Sequence, residues 1–276
     1  MKEDLQKFLE KKARWIWHET LKINKIAPET RIASSMSIIE IIVTLFYAKL
    51  LRFFPQDPLC DERDRLIISK GHGSISMYPL LADLGYFDKN ELQNVCKKGG
   101  FLGGIPDPVI PGYETVNGSL GHGLGVGAGI SFALKNKQLN RNVFVITGDG
   151  ELHEGANWEA MMFASHHNLD NLFLIVDQNS ISMLDHTDNI VSHGDLKKKI
   201  ESFGWECLEV DGHSVGELYS NIGKLISSKK CKPKALIANT IKGRGIPGIE
   251  NQSLAHIMNP KTELIDSLLG QNKGIS

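Results

Sequence analysis

Two apolar segments, each followed by a short polar turn, constrain the fold of this chain most strongly. Residues 142–147 read NVFVIT and residues 171–176 read NLFLIV, compositions typical of strands buried on both faces of a sheet. The first segment is followed by GDG at 148–150 and the second by DQN at 177–179. A helical pattern at 155–167 lies between them, so we predict two parallel strands whose carboxyl ends share one edge of the sheet.

The polar residues at these two strand ends predict a cation site. Asp149 lies between two glycines that allow a sharp turn and a close approach of the backbone to a ligand. Its carboxylate, the side-chain amide of Asn179 and the backbone carbonyl of Ile181 would form an oxygen-only half-site for Mg²⁺ or Ca²⁺. Diphosphate oxygens and a water would complete the coordination. The same pattern is also consistent with a tight turn that binds no ligand.

Strands and helices alternate along most of the chain. This alternation predicts an α/β fold, a doubly wound parallel sheet with helices on both faces. We expect one domain over residues 1–276, with a helical N-terminal segment at 1–54 and an irregular C-terminal tail at 243–276. The further strands are predicted at 63–68, 203–210 and 235–241, and the further helices at 1–24, 36–54, 76–84, 118–134 and 214–228.

The composition argues against several classes of protein. A net charge of −1 provides no field that would attract nucleic acid or an anionic membrane. The most apolar stretch, 36–54, is interrupted by Glu40, Lys49 and Arg52, which predicts a buried or interfacial helix and no membrane span. The cysteines are widely spaced and the N-terminus lacks the apolar core of a signal peptide, so we expect reduced thiols in the cytoplasm.

The GDG turn and the asparagine after the second strand, in that order and spacing, resemble the signature of thiamine diphosphate enzymes. The segment EGANWEAMMFASHHNLDNL is similar to transketolases, and so are SKGHG, GSLGHG and KGRG. The resemblance runs from about Ala27 to His256. It implies the thiamine diphosphate-binding fold, and specifically the N-terminal, diphosphate-binding half of a transketolase encoded as a separate subunit.

The resemblance implies two cofactors, thiamine diphosphate and Mg²⁺, and Ca²⁺ or Mn²⁺ as substitutes for the Mg²⁺. It assigns the metal to the side chains of Asp149 and Asn179 and to the carbonyl of Ile181. The amide of Gly150 would contact the diphosphate. Glu154 resembles the family glutamate that bonds its counterpart across a dimer interface. The alternative is that Glu154 is a solvent-exposed residue at the start of a helix.

Five further residues match family positions around the cofactor. His72 corresponds to a histidine near the diphosphate and the reacting carbon, and His256 to a histidine beside the substrate channel. Lys242 would neutralise diphosphate charge as a point cation. Gly118, through its backbone, and Leu120, through apolar contact, would hold the cofactor in its bent form.

Two family histidines on the substrate side are missing, because Arg31 and Ile105 stand in their places. The resemblance still implies transfer of a two-carbon ketol unit from a ketose to an aldose, with sugars that differ from the usual pentose and hexose phosphates. The guanidinium of Arg31 could bind a carboxylate or phosphate of such a substrate.

The chain contains no second doubly wound domain to receive the aminopyrimidine of the cofactor. We therefore expect the partner to be a C-terminal transketolase subunit, in an α₂β₂ assembly, and no activity of the chain alone. We expect the partner to cover the surfaces formed by the helices at 36–54 and 118–134. Three alternatives stay open: the α subunit of a 2-oxo acid dehydrogenase, a relative of deoxyxylulose phosphate synthase, and a non-catalytic cofactor-binding or regulatory module.

Overall fold

A sheet of five parallel strands forms the centre of the protein. The structure is a computed structural model, and it describes residues 1–270. Across the sheet the strands follow the order β1-β2-β3-β5-β4, and each neighbouring pair is parallel. The strands are β1 Arg65–Ile68, β2 Val143–Gly148, β3 Leu172–Gln178, β4 Glu206–Asp211 and β5 Lys234–Asn239.

The register of β2 and β3 brings their polar ends to the same level. Gly148 at the end of β2 pairs with Asp177 of β3, and the amide of Asp149 donates to the carbonyl of Asp177 at 3.2 Å. The residues that follow the two strands therefore emerge side by side at one edge, as the sequence predicts.

Ten α-helices surround the sheet within residues 1–270. They are α1 Glu3–Ile26, α2 Ile32–Met36, α3 Ile39–Tyr47, α4 Met77–Leu84, α5 Gly123–Asn136, α6 Gly155–His166, α7 Thr187–Val191, α8 Leu196–Ser202, α9 Val215–Ser227 and α10 Thr262–Gly270.

Successive residues of the strands face two different hydrophobic cores. Val143 and Val145 of β2 pack with α5, α6 and α8, whereas Phe144 and Ile146 pack with α1, α3 and α9 on the opposite face. Because both faces are covered, every residue of β2 is buried, which explains its uninterrupted apolar sequence. The predicted doubly wound sheet with helices on both faces is confirmed.

The prediction of one continuous helix over residues 36–54 is wrong. The chain forms the short helix α2 and then α3, which ends at Tyr47. Lys49 adopts a left-handed conformation with φ of 56°, and Pro55 and Pro58 follow, so the backbone cannot continue as a helix.

The prediction that this apolar helix is a surface covered by a partner is also wrong. Ile41, Ile42 and Val43 are fully buried, and α3 packs against α1 and α9 of the same chain. The apolar side of α1, which includes Leu9 and Ile16, provides the cover.

The C-terminal part is irregular only in its first section. Residues 243–261 form no helix or strand, as predicted, but 262–270 form α10, which packs on α1 through the buried Ile265. The predicted tail is therefore wrong over 262–270, because apolar residues recur there at helical spacing. Positions 271–276 of that prediction lie outside the described residues. Among residues 1–270, no helix has the length and apolar character needed to cross a bilayer.

Candidate functional site

A cleft of about 290 Å³ lies at the carboxyl edge of the sheet, where β2 and β3 end. Its lining contains all of the predicted cofactor-binding residues, His72, Gly118, Leu120, Asp149, Gly150, Asn179, Ile181, Lys242 and His256. The fold thus brings together positions from six separate parts of the sequence. Their individual roles stay predictions.

Asp149 is held by the backbone of both strand ends. Its Oδ1 accepts from the amide of Gly150 at 2.9 Å, and its Oδ2 accepts from the amide of Ser180 at 2.7 Å. A carboxylate has further lone pairs beyond these two bonds, so it can still ligate a cation. Burial, followed by the nearby charge of Asp177, raises the pKa of Asp149 to about 6.

Asn179 is oriented by Asp177, a residue that the sequence analysis missed. The side-chain amide of Asn179 donates to Asp177 Oδ2 at 2.8 Å, which directs its oxygen away from that carboxylate. The same oxygen accepts from the amide of Ile181 at 3.2 Å and keeps a second lone pair. The carboxylate therefore fixes which end of the amide is available to a metal.

Asp177 itself is fully buried and forms an ion pair with the buried Lys70. It also accepts from the hydroxyls of Ser37 and Thr240. Burial alone would raise its pKa, but the Lys70 ammonium and these donors hold the pKa of Asp177 below its usual range. The sequence did contain a signal for Asp177, because this charged residue ends a strand that is buried on both faces. A charge at such a position must be paired.

Lys242 has 4% of its surface exposed and extends toward the turn after β3. Its ammonium donates to the carbonyl of Ile181 at 2.9 Å and to that of Ser182 at 3.3 Å. Burial, followed by the charge of Lys70, lowers the pKa of Lys242 to about 8.

His72 and His256 meet across the cleft. Their ring centroids lie 4.8 Å apart in an edge-on arrangement, and Ser34 Oγ lies 3.5 Å from His256 Nδ1. Burial, and then the charge of His256, lowers the pKa of His72 to about 3, while burial, and then Lys242, lowers the pKa of His256 to about 4. Both imidazoles are therefore neutral near pH 7.

Glu151 is a second buried carboxylate that the sequence analysis missed. It accepts from the Ser69 hydroxyl, from the amide of Gly121 at 2.9 Å and from the amide of Gly148 at 3.2 Å. Burial raises its pKa. These bonds tie the ends of β1 and β2 to the loop that carries Gly118 and Leu120, so Glu151 positions the wall of the cleft.

Three predicted residues lie at the margin of the cleft or outside it. Glu154 is exposed at the start of α6 and does not line the cleft. Arg31 lines the cleft and is exposed, and its charge contributes to the low pKa values of His72 and His256. Ile105 is 50% exposed and lies outside the lining.

The groups that line the cleft fit the diphosphate of thiamine diphosphate and a divalent metal ion. One carboxylate, one amide oxygen and one backbone carbonyl come from adjacent strand ends, a set that suits Mg²⁺. An ammonium already bonds the carbonyl of Ile181, which shows that this oxygen accepts positive charge. Lys242 and two neutral imidazoles provide donors for phosphate oxygens, and the paired Lys70 ammonium adds positive charge to the lining.

Comparison with known proteins supports this interpretation. A family model described as the transketolase thiamine diphosphate-binding domain matches residues 23–271. The chain is 36% identical to one subunit of the apulose-4-phosphate transketolase of Actinobacillus succinogenes, over 96% of each chain. It is 34% identical to the 6-deoxy-6-sulfo-D-fructose transketolase subunit SqwG of Clostridium sp. strain MSTE9 over 84% of each chain.

Complete transketolases are longer than this chain. The human enzyme is 39% identical over 81% of this chain, but the match covers 35% of the human protein. The transketolase structure from Campylobacter jejuni superposes with a TM-score of 0.88 at 27% identity, over 99% of this chain and 43% of that one. The sequence resemblance is thereby confirmed: the chain belongs to the transketolase family and contains its thiamine diphosphate-binding domain.

Proposed function

We propose that this chain is the cofactor-anchoring subunit of a two-component transketolase, which transfers a two-carbon ketol unit from a ketose to an aldose. The observation that carries the proposal is the pair of adjacent strand ends, where Asp149, Asn179 and the Ile181 carbonyl line one cleft. These three groups would hold Mg²⁺, or Ca²⁺ or Mn²⁺ in its place. Thiamine diphosphate, when bound, supplies the nucleophilic carbon that accepts the ketol unit.

The residues of this chain bind and orient the cofactor and transfer protons. Lys242 would supply a positive charge for the diphosphate, and Gly118 and Leu120, which also line the cleft, would hold the cofactor in its bent form. His72 and His256 are neutral, so each ring presents one nitrogen that accepts a hydrogen bond and one N–H that can donate a hydrogen bond to a hydroxyl of the substrate.

The substrate differs from common sugar phosphates because the substrate side of the cleft differs. Arg31 stands where the family resemblance expects histidine, and its guanidinium makes no hydrogen bond or ion pair within residues 1–270. It is available to bind a carboxylate or phosphate in bidentate fashion. The names of two relatives, which specify apulose-4-phosphate and 6-deoxy-6-sulfo-D-fructose, agree with unusual sugars in this branch of the family.

A C-terminal transketolase subunit would complete the site, in an α₂β₂ assembly. An exposed apolar surface on α5 and α6 supports this proposal, because Val126, Met162 and Phe163 are 42%, 54% and 40% exposed. Glu154 lies at the start of α6 and would reach its counterpart across the interface. The four cysteines are all free, which agrees with a cytoplasmic location.

The first test assays ketol transfer by the chain alone and after reconstitution with its partner. We expect no turnover by the chain alone and thiamine diphosphate-dependent ketol transfer by the pair. Asp149→Asn should lower kcat/KM by at least about a hundredfold, because it removes a charged ligand of the metal. The half-exposed Asp170→Asn is a matched control that should retain activity.

Two outcomes would favour other functions. Reduction of dichlorophenolindophenol with pyruvate, in place of ketol transfer, would indicate a 2-oxo acid dehydrogenase subunit. Cofactor binding by the reconstituted pair without turnover of any ketose would indicate a non-catalytic module.

A further inference from the structure

Lys242 occupies an oxygen atom that the proposed metal also needs. Its ammonium bonds the carbonyls of Ile181 and Ser182, at 2.9 and 3.3 Å. The Ile181 carbonyl is the backbone ligand proposed for Mg²⁺. The structure therefore shows the Lys242 ammonium bound to one of the three oxygen atoms proposed for the metal.

The two cations oppose each other when both are present. Mg²⁺ binds a carbonyl oxygen at about 2.0–2.1 Å, so an ammonium on that same oxygen would lie within about 5 Å of the metal. Both would be enclosed in a buried cleft, where the repulsion between charges is weakly screened. The repulsion therefore weakens binding of the metal alone for as long as the Lys242 ammonium stays on that oxygen.

The backbone of Lys242 is fixed by hydrogen bonds, whereas its ammonium is held, in the described part of the chain, only by neutral carbonyl oxygens. The carbonyl of Lys242 accepts from the amide of Asn251, and the next amide, of Gly243, donates to the carbonyl of Ala33, both at 2.9 Å. A displaced ammonium thus stays near the cleft on its flexible four-carbon stem. Phosphate oxygens in that cleft offer it a stronger acceptor than a neutral carbonyl.

Lys70 lacks this freedom, although it lines the same cleft. Its ammonium is paired with Asp177 and also donates to the carbonyl of Ser34 at 2.8 Å and to Ser37 Oγ at 3.2 Å. Displacing it would leave a buried carboxylate unpaired. Lys242, by contrast, bonds only neutral oxygens within residues 1–270.

We propose that Lys242 exchanges partners during loading of the site. It bonds the Ile181 carbonyl when the cofactor is absent and the diphosphate when the cofactor is bound. The exchange makes metal binding depend on thiamine diphosphate, because the diphosphate draws the ammonium off the metal ligand. This inference rests on the cofactor site of the proposed function. It adds that tight binding of the metal at this site requires thiamine diphosphate.

The test measures metal binding in the complete assembly with the partner subunit. Mn²⁺ is titrated with and without thiamine diphosphate, and free Mn²⁺ is quantified by electron paramagnetic resonance. For Lys242→Met we expect Mn²⁺ alone to bind about tenfold more tightly than in the wild type. The factor by which thiamine diphosphate tightens Mn²⁺ binding should shrink by about tenfold, and the cofactor itself should bind more weakly.

Two additional variants keep the result interpretable. Lys242→Gln should change Mn²⁺ binding in the same direction, and it replaces Lys242→Met if the latter does not fold. Lys229→Met removes an exposed lysine and one charge outside the cleft, and it should behave as the wild type.

The possible failures are distinguishable. If Lys242→Met and Lys242→Gln bind Mn²⁺ alone no more tightly than the wild type, the exchange is wrong while the cofactor site stands. If the wild-type assembly binds no Mn²⁺ even with thiamine diphosphate, both the exchange and the proposed site are wrong. Neither the Mn²⁺ titration nor the measurement of cofactor binding requires turnover. The binding data therefore decide on the exchange even if the assembly shows no ketol transfer.

Discussion

At the scale of single residues, the cleft is defined by charges that are buried and paired. Lys70, which lines the cleft, is paired with the fully buried Asp177, and three further donors complete the hydrogen bonding of the carboxylate. A buried ion pair adds little net stability, but losing one partner leaves an uncompensated charge. The pair therefore contributes mainly by fixing Asn179 in one orientation.

The pair can be tested with a double-mutant cycle. Asp177→Asn and Lys70→Met should each lower the free energy of unfolding by about 3–5 kcal/mol. Combining them should cost clearly less than the sum, because no unpaired charge remains. Urea unfolding of the cofactor-free chain measures all four proteins. Additive losses would show that the two residues are not energetically coupled.

His72 makes stability depend on pH in a defined direction. Its pKa of about 3 in the folded protein lies below the ordinary value of 6.5, so the unfolded chain binds a proton that the folded chain excludes. Stability should therefore fall as the pH falls from about 6.5 toward 3, by up to about 1.4 kcal/mol per pH unit.

Asparagine at this position removes that titration. The free energy of unfolding of His72→Asn, measured without cofactor between pH 7 and about 4.5, should decline less steeply than that of the wild type. The exposed His166→Asn is the control. If the free energy of unfolding falls equally steeply with pH in the wild type and in His72→Asn, folding does not lower the pKa of His72.

At the scale of secondary structure elements, α5 shows how glycines serve two different faces of one helix. A Cβ added to Gly127 would lie 2.5 Å from Val145 Cγ2 of β2, so only glycine allows this close packing on the sheet. A Cβ added to Gly129 would contact nothing within 4 Å. Glycine is thus required for packing at position 127, whereas position 129 has room for a larger side chain.

This difference predicts opposite effects of the same substitution. Gly127→Ala should destabilise the chain by about 1–3 kcal/mol through overpacking. Gly129→Ala should stabilise it by about 0.5–1 kcal/mol, since alanine is the better helix former. Thermal or urea unfolding of the chain without partner measures both. Equal destabilisation by both changes would contradict the assignment of the two faces.

At the scale of the whole molecule, an apolar surface remains exposed on α5 and α6. The chain covers α3 itself, whereas Val126, Met162 and Phe163 are left in contact with solvent. This surface adjoins Glu154 and the wall of the cleft that carries Leu120. A partner seated there would cover the apolar patch and enclose the cofactor at the same time.

Disrupting this surface should separate the subunits without unfolding the chain. Phe163→Glu should weaken association by about 2 kcal/mol or more, because it places a charge in a desolvated interface. Native mass spectrometry of the reconstituted pair measures the loss of the α₂β₂ species. Leu59→Glu alters another hydrophobic residue, 82% exposed, and should leave assembly intact. Unchanged assembly of Phe163→Glu would exclude this surface as the interface.

The sequence by itself determined the alternation of strands and helices along the chain and the residues at the strand ends. Apolar runs bounded by glycine and polar turns specify buried parallel strands, so Asp149 and Asn179 were predictable as neighbours. These signals are local: they depend on residues close together in the chain. The end of α3 and the existence of α10 were predicted wrongly although local signals were present: two prolines follow α3, and apolar residues recur at helical spacing in α10.

Only the tertiary structure decided which distant residues meet. The ion pair of Lys70 with Asp177 and the bond of Lys242 to Ile181 each join different loops of the sheet edge. The burial of α3 beneath α1, and not beneath a partner, likewise depends on how helices distribute over the two faces. The physical reason is that burial and charge pairing are properties of three-dimensional neighbours, which local sequence patterns do not specify.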